Sequence, residues 1–179
     1  MKIWISYFYQ VRNFEPNMIP FSIAQWDPKW FHNFGDQSKV FIDNKGVING
    51  LRLSELCLPR TAYEHLVEKG QGCEKDCTLQ SKVDYQLKQN EIKNDWLKFG
   101  CPFMDTYFNH LWNEVDIDKL VEKLEKFCAN FKKTYPDLDD PEIVLLVHEA
   151  PSNPCGERPV LKRWFAEFGY DLEEWNPYE

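Results

Sequence analysis

The spacing of apolar and polar positions divides the chain into short strands and amphipathic helices. The clearest segment is the unbroken run Ile143-Val144-Leu145-Leu146-Val147. A run that short, with no polar face, predicts a strand covered from both sides. Residues 2–9, rich in Ile, Trp, Tyr and Phe, predict a first strand. Residues 19–24 predict a second, with Pro20 near its start, where a missing donor is tolerated. Residues 40–42 predict a short strand and residues 44–46 a turn. Residues 51–58 carry no single period.

Helix signals fill the rest. Asp27 before Pro28 predicts an N-cap with proline at the first helical position, opening a short aromatic helix that ends before Gly35. Thr61-Ala62-Tyr63-Glu64 has the form of a capping box and predicts a helix through Lys69, stopped by Gly70. Residues 83–99 are polar with sparse apolar positions and read as helical. Phe103, Tyr107, Phe108, Leu111 and Trp112 fall at helical spacing. Asp116 caps the next helix, which buries a stripe from Ile117 through Leu120 and Leu124 to Phe131. The last helix covers 159–168 and stops at Gly169, leaving an acidic, aromatic tail. This order predicts the α/β class: one compact domain over 1–179, with a small, mostly parallel sheet flanked by helices. Residues 71–99 read as a helical insertion or flap within it.

Composition narrows the function classes. A length of 179 residues fits one domain with a sizeable core, and 43% hydrophobic content suits a folded chain. The net charge of −8 argues against a broad basic surface for duplex nucleic acid, while a local basic pocket stays compatible with it. No apolar run approaches the ~20 residues that span a bilayer, and the first residues lack the pattern of a signal peptide. The six cysteines then read as reduced thiols in a cytoplasm.

Polar groups collect where the 143–147 strand ends. His148 and Glu149 follow it, a loop with Pro151 and Pro154 comes next, and Cys155-Gly156-Glu157-Arg158 opens a helix. Open α/β sheets place ligands just outside the carboxyl ends of their strands, beside helix N-termini. A thiol at such a terminus is biased toward thiolate, which makes Cys155 a candidate nucleophile or oriented supporting group. Glu149 is a candidate base, or a reader of a ligand hydroxyl or amine. Arg158, Lys29 and the helix N-terminus at Gly156 would hold phosphate. The plainer alternative is a thiol in a turn, with Glu149 and Arg158 paired across the loop. Strand alternation sends His148 and Glu149 to opposite faces, which favours Glu149 as the cleft residue.

Trp26 and Trp30, with Lys29 between them, could offer stacking rings and a cation to a base or phosphate, with Ser22 beside them. The plainer alternative is a staple holding a short helix on the sheet and a satisfied strand hydroxyl. Cys73 and Cys77, with Cys101 and one of Cys57, His65 or His110, make a loosely spaced zinc alternative; no cofactor is otherwise expected. The Cys155 segment is neither a cysteine-phosphatase loop nor a Walker loop.

These segments together resemble the domain-of-unknown-function family numbered 488, particularly its bacterial and phage branch. Its members carry an apolar strand, a glutamate, a short Pro-containing loop and Cys-His-Arg opening a helix with a Trp-Leu-like pair. The matching residues here are 143–147, Glu149, Cys155 and Trp164-Phe165. Ser6-Tyr7-Phe8, residues 19–24 leading to Pro28-Lys29-Trp30, and residues 101–115 are also similar. The family's histidine is absent, Gly156-Glu157 separates Cys155 from Arg158, and residues 45–99 match poorly. The resemblance implies a compact α/β domain whose cleft gathers these elements, with no established reaction and a leaning toward nucleotide or nucleic-acid metabolism. The expectation is a polar cleft at the carboxyl end of the 143–147 strand that binds a nucleotide or nucleic-acid component, with catalysis left open. The alternative is a non-enzymatic protein–protein interaction protein, phage-borne or defence-related, working through its acidic aromatic surface.

Overall fold

A central strand with apolar side chains on both faces needs cover from two layers, and the tertiary structure supplies it. The structure, a computed structural model, describes residues 1–31, 50–70, 99, 101–153 and 155–177. Its strands are β1 (Lys2–Tyr7), β2 (Met18–Ser22), β3 (Leu51–Arg52), β4 (Glu142–Val147) and β5 (Glu173–Glu174). Its α-helices are α1 (Arg60–Glu68), α2 (Pro102–Glu114), α3 (Ile117–Thr134) and α4 (Glu157–Glu167), with 3-10 turns at Phe8–Asn13 and Ser54–Leu56. The strands form one five-stranded sheet in the order β3-β2-β4-β1-β5, and every pairing is parallel. The chain is therefore a single α/β domain, and among the described residues its sheet is parallel, as the order of elements predicts.

β4 lies in the middle, and residues 143–147 are each 0% exposed. Alternation divides them. Ile143, Leu145 and Val147 join Ile5, Ile19, Phe21 and the apolar faces of the helices. Val144 and Leu146 join a smaller cluster of Phe8, Val11, Phe14, Met18 and Phe31 on the other face. The registers start together, with Glu142 opposite Lys2 of β1 and Met18 of β2. Near the carboxyl end, Ser6 and Ser22 flank Leu146 from either side.

The helices follow local sequence rules with one exception. Asp116 accepts from the backbone N–H groups of Asp118 and Lys119 at 3.1 and 3.2 Å, as its position before the apolar stripe predicts. Pro102 opens α2, where its missing donor costs nothing. Gly70 and Gly169 follow α1 and α4 with φ of 67° and 80°, so both stops are in the left-handed region. The capping box at Thr61 does not form. Pro59 takes the N-cap position, Thr61 lies within the first turn, and Glu64 accepts from Arg60 at 2.7 Å instead.

Other expectations change in detail. The first strand ends at Tyr7, because Phe8–Asn13 winds into a 3-10 turn that buries Phe8, Gln10 and Val11. In place of a helical start after Asp27, residues 28–31 make a single turn closed by Phe31 N donating to Pro28 O at 2.9 Å. The Asp27 carboxylate accepts from Ser22 Oγ and Arg52, two groups that sequence-local rules do not bring to it. The tail contributes the unforeseen β5, which pairs with Trp4 and Ile5 of β1. Expectations for residues 32–34 of the aromatic helix, for residues 40–46 and for residues 71–98 of the 71–99 insertion lie outside the described residues. Among the described residues no helix is long and apolar enough to cross a membrane.

Because β4 is packed from both faces, Leu145→Ala is expected to cost about 3 kcal/mol, the usual range for emptying a leucine site in a core. Chemical denaturation of the two proteins checks this, and a loss under ~1 kcal/mol would mean that β4 is not the packed centre of the fold.

Candidate functional site

The chain leaves β4 through His148 and Glu149, and the pleat sends them apart. His148 Nε2 donates to the Trp26 carbonyl, and its ring packs 4.8 Å from that of Phe8. Glu149 turns toward the start of α4. Between them and the helix, Asn153 N donates to Ala150 O at 2.9 Å, and Asn153 Oδ1 accepts from Cys155 N at 3.1 Å. Gly156 then takes the N-cap position with φ 96°. A side chain there would be strained by that angle. It would also crowd its neighbour: a Cβ would sit 3.0 Å from the Glu149 carboxyl carbon and 3.2 Å from each of its oxygens, so the carboxylate would have to shift by a few tenths of an ångström. Glycine thus leaves room for the Glu149 carboxylate at the positive end of α4.

Glu157, the first residue of α4, is 6% exposed. Burial first, and the neighbouring Glu149 charge second, push its carboxyl up to about 8 from an ordinary 4.5. Arg158 follows and is 4% exposed. Its Nε donates to Glu174 Oε2 at 2.9 Å, and Lys162 Nζ lies 3.5 Å from the same oxygen. Burial raises the Glu174 carboxyl despite those two cations. The remaining Arg158 nitrogens, Nη1 and Nη2, are buried without a hydrogen-bond partner, as are Glu149 Oε2 and Glu174 Oε1. The result is a polar cluster with unused donors and acceptors, built by the exit of β4, the start of α4 and β5.

The residues singled out from sequence therefore fall into two groups. Glu149 packs against Gly156 at the start of α4, and Arg158 lies in the same turn with its Nε on Glu174. Cys155 is adjacent, half-buried and packed on the main core. Ser22, Trp26, Lys29 and Trp30 belong to the segment that follows β2. Ser22 is fully buried, and its hydroxyl donates to Asp27, which also receives Arg52 Nη1 at 3.0 Å. Trp26 and Trp30 are each 56% exposed. The Trp26 ring meets Tyr63 of α1 edge-on at 5.5 Å, and Trp30 meets Phe8 edge-on at 6.3 Å. Lys29 is exposed beside them. His148 is the hydrogen-bonded link between this segment and the exit of β4.

Glu157 and Glu174 are the members that sequence reasoning missed. Glu157 looks like an ordinary first-turn acid that complements the helix dipole. Glu174 lies in the tail, where no spacing rule ties it to Arg158. Of the cysteines considered for zinc, Cys73 and Cys77 lie outside the described residues. Cys101 is half-buried against the core, and the buried Cys57 thiol, pushed up to about 11 chiefly by burial, donates to Leu53 O. His65 lies 4.0 Å from Glu68, and among the described residues no three His, Cys, Asp or Glu side chains gather into a metal-holding group.

A cavity of about 720 Å³ opens away from this cluster, lined by Arg52, Cys57, Arg60, His110, Lys119 and Lys123 among others. Its cations have acidic partners: Lys119 with Asp116, Lys123 with Glu55, Arg60 with Glu64 and Arg52 with Asp27. Burial lowers the pKa of His110. The cavity thus offers space without an uncommitted cation among those four, whereas the α4 cluster holds a guanidinium with two unpartnered nitrogens.

No family model, no curated protein and no solved structure matches the chain.

Glu157 holds its proton more tightly folded than unfolded. Its contribution to stability is full below the unfolded value of 4.5 and is lost as pH rises through about 8. Glu157→Gln is expected to flatten this part of the decline in unfolding free energy between those pH values. Denaturation of both proteins across the window checks it; equal slopes would show that the pair holds no such proton.

Proposed function

We propose that the chain binds a small anionic ligand, a nucleotide or nucleic-acid component, at the carboxyl end of its sheet. The observation that carries this reading is the Arg158 guanidinium, buried with Nη1 and Nη2 unpartnered in the first turn of α4. Leaving buried donors unpaired costs roughly 1–3 kcal/mol each, more when charged, so such an arrangement favours a ligand that satisfies them. A phosphate oxygen pair suits a guanidinium fork. Glu149 Oε2 is an acceptor for a hydroxyl or amine of the same ligand, and the half-buried Glu149 is the member closest to solvent. The exposed Trp26 would stack on a flat ring, at the end of the strand next to β4. If the ligand is also transformed, Glu149 is the base and Cys155 the nucleophile or a supporting group. The resemblance to family 488 agrees with this reading.

Glu149 already occupies the space at the start of α4, so the phosphate is assigned to Arg158 rather than to the helix N-terminus. A reducing cytoplasm is the setting that suits the buried thiols of Cys57 and Cys128. A second reading, a non-enzymatic protein-interaction surface, is favoured by Tyr9, Trp26 and Trp30, which are 60%, 56% and 56% exposed.

A thermal-shift screen with nucleoside mono-, di- and triphosphates tests the first reading. A ligand at ~100 times its dissociation constant stabilises by about 2.7 kcal/mol, a shift of several degrees. That shift should shrink in Glu149→Gln and in Arg158→Lys. Lysine is used because it keeps a cation against Glu174; removing one partner of a buried pair outright costs roughly 3–5 kcal/mol. A shift unchanged in both variants would place the ligand elsewhere, and no shift with any nucleotide would favour the interaction surface.

A further inference from the structure

The segments that follow β1 and β2 meet beyond the carboxyl ends of those strands, and their exposed side chains are of few kinds. In residues 7–15 and 22–31 they are Tyr9, Arg12, Trp26, Lys29, Trp30 and one acid, Glu15. Tyr9, Trp26 and Trp30 are 60%, 56% and 56% exposed. The buried Phe8 ties these rings into one face. Trp30 meets Phe8 edge-on at 6.3 Å, Tyr9 follows it in the chain, and the exposed His148 ring packs on it at 4.8 Å. His148 Nε2 donates in turn to the Trp26 carbonyl. The rings are also braced from behind, Trp26 by Tyr63 and Tyr9 by Tyr7. A ring held in this way loses little freedom when a second flat group lies on it.

The cations of this face are uncommitted. Most described lysines and arginines hold a carboxylate, as Arg52 holds Asp27, Lys126 holds Glu122 and Arg158 holds Glu174. Among the described residues, Arg12 and Lys29 form no ion pair. The Arg12 guanidinium lies 3.5 Å over the Tyr9 ring centroid, and its Nε donates to Tyr9 O at 3.1 Å. That arrangement fixes the guanidinium plane and leaves Nη1 and Nη2 for an oxyanion. Asp27, the acid between Trp26 and Lys29, is engaged by Ser22 and Arg52. A chain of net charge −8 therefore carries two cations without acidic partners, set among exposed rings.

Rings alone would suit an apolar protein partner, but such a partner would leave Arg12 and Lys29 unpaired. A free nucleotide offers one base for three rings. A duplex hides the faces of its bases within its own stack. A single strand repeats an open ring and a phosphate, which is the combination this face presents in complement.

We infer that Tyr9, Trp26 and Trp30, with Arg12 and Lys29, form a face that binds single-stranded nucleic acid, its bases on the rings and its phosphates on the two cations. This rests on the nucleic-acid reading above for the class of ligand, but it uses no group of the Arg158 cluster. The face reads strand form rather than sequence, because every base has a flat surface to stack.

Fluorescence anisotropy tests this, with the full chain titrated into labelled oligothymidylate and oligouridylate of about twelve nucleotides and into a duplex of the same length. Wild type should bind a single strand about tenfold more tightly than the duplex. Tyr9→Ala, Trp26→Ala and Trp30→Ala should each weaken that binding about tenfold. Thermal melts check that each variant is folded; Trp26→Leu and Trp30→Leu, which keep apolar bulk without a flat ring, replace an alanine variant that is not. Arg12→Gln and Lys29→Gln should each reduce the slope of log affinity against log salt by about 0.7, the share of one phosphate contact on a single strand. Lys126→Gln, on α3, should leave the slope unchanged. No binding to either single strand at low salt overturns the inference and leaves the rings to a protein partner. Equal binding to the duplex overturns it, as do ring variants that bind like wild type or a slope that falls as much in Lys126→Gln. A nucleotide thermal shift that persists without oligonucleotide binding keeps the proposal above and removes this inference alone. Ring-dependent oligonucleotide binding without any nucleotide shift does the reverse.

Discussion

The burial of β4 on both faces is the constraint from which the rest follows. Its apolar residues 143–147 are sealed completely. Burying five aliphatic side chains contributes on the order of 10 kcal/mol before entropy is counted, comparable with the whole net stability of a typical domain. That gain is available only if helices cover one face and a second apolar layer covers the other. It is also available only if β1 and β2 pair with both edges. Because both registers begin at Glu142, the carboxyl ends of the three strands finish close together. The first polar residues after β4 therefore emerge where its neighbours also stop, beyond the apolar interior but still enclosed.

At that place the chain adopts an arrangement that conflicts with simple packing. Gly156 holds φ 96° and leaves the space that Glu149 fills. Glu157 turns inward although it is an acid, and Arg158 is held through one nitrogen only. Trp164 Nε1 adds another buried donor without a partner. Elsewhere along the same helix the rule is ordinary apolar burial, with Val160, Leu161 and Phe165 closed in the core. A cost concentrated in one turn, beside a core that is otherwise apolar, is the pattern expected where function competes with stability. The opening of α4 is also the place where local helix rules say least. An acid near a helix N-terminus satisfies the dipole whether it faces solvent or another carboxyl group.

Much of the fold was legible because it depends on short-range periodicity. The apolar run at 143–147, the stripe from Ile117 to Phe131, the Asp116 cap and the glycines that end α1 and α4 all signal locally. Features decided by distant partners were not legible. Glu173 and Glu174 have little strand preference, and they become β5 only because Trp4 and Ile5 offer an edge. Asp27 has the form of a helix cap, yet Ser22 and Arg52 reach it through the alignment of β2 with β3. Thr61 and Glu64 have capping-box spacing, but the helix begins earlier and Arg60 engages Glu64. At the candidate site, the closeness of Glu149 to Gly156 followed from chain order. The inward turn of Glu157 and the arrival of Glu174 depended on tertiary packing.

The outermost strands of the sheet have a further consequence for the chain in a crowded solution. Among the described residues, β3 and β5 are each two residues long. One carries Arg52 and the other consists of two glutamates. The part of β2 beyond the reach of β3 contains Pro20, which has no amide hydrogen to offer. An extended segment from another molecule would meet a short row of hydrogen-bonding groups, interrupted by charge at either border. Such margins discourage strand-by-strand growth into fibres, the hazard that a sheet with a very apolar centre carries whenever its flanks are long and bare.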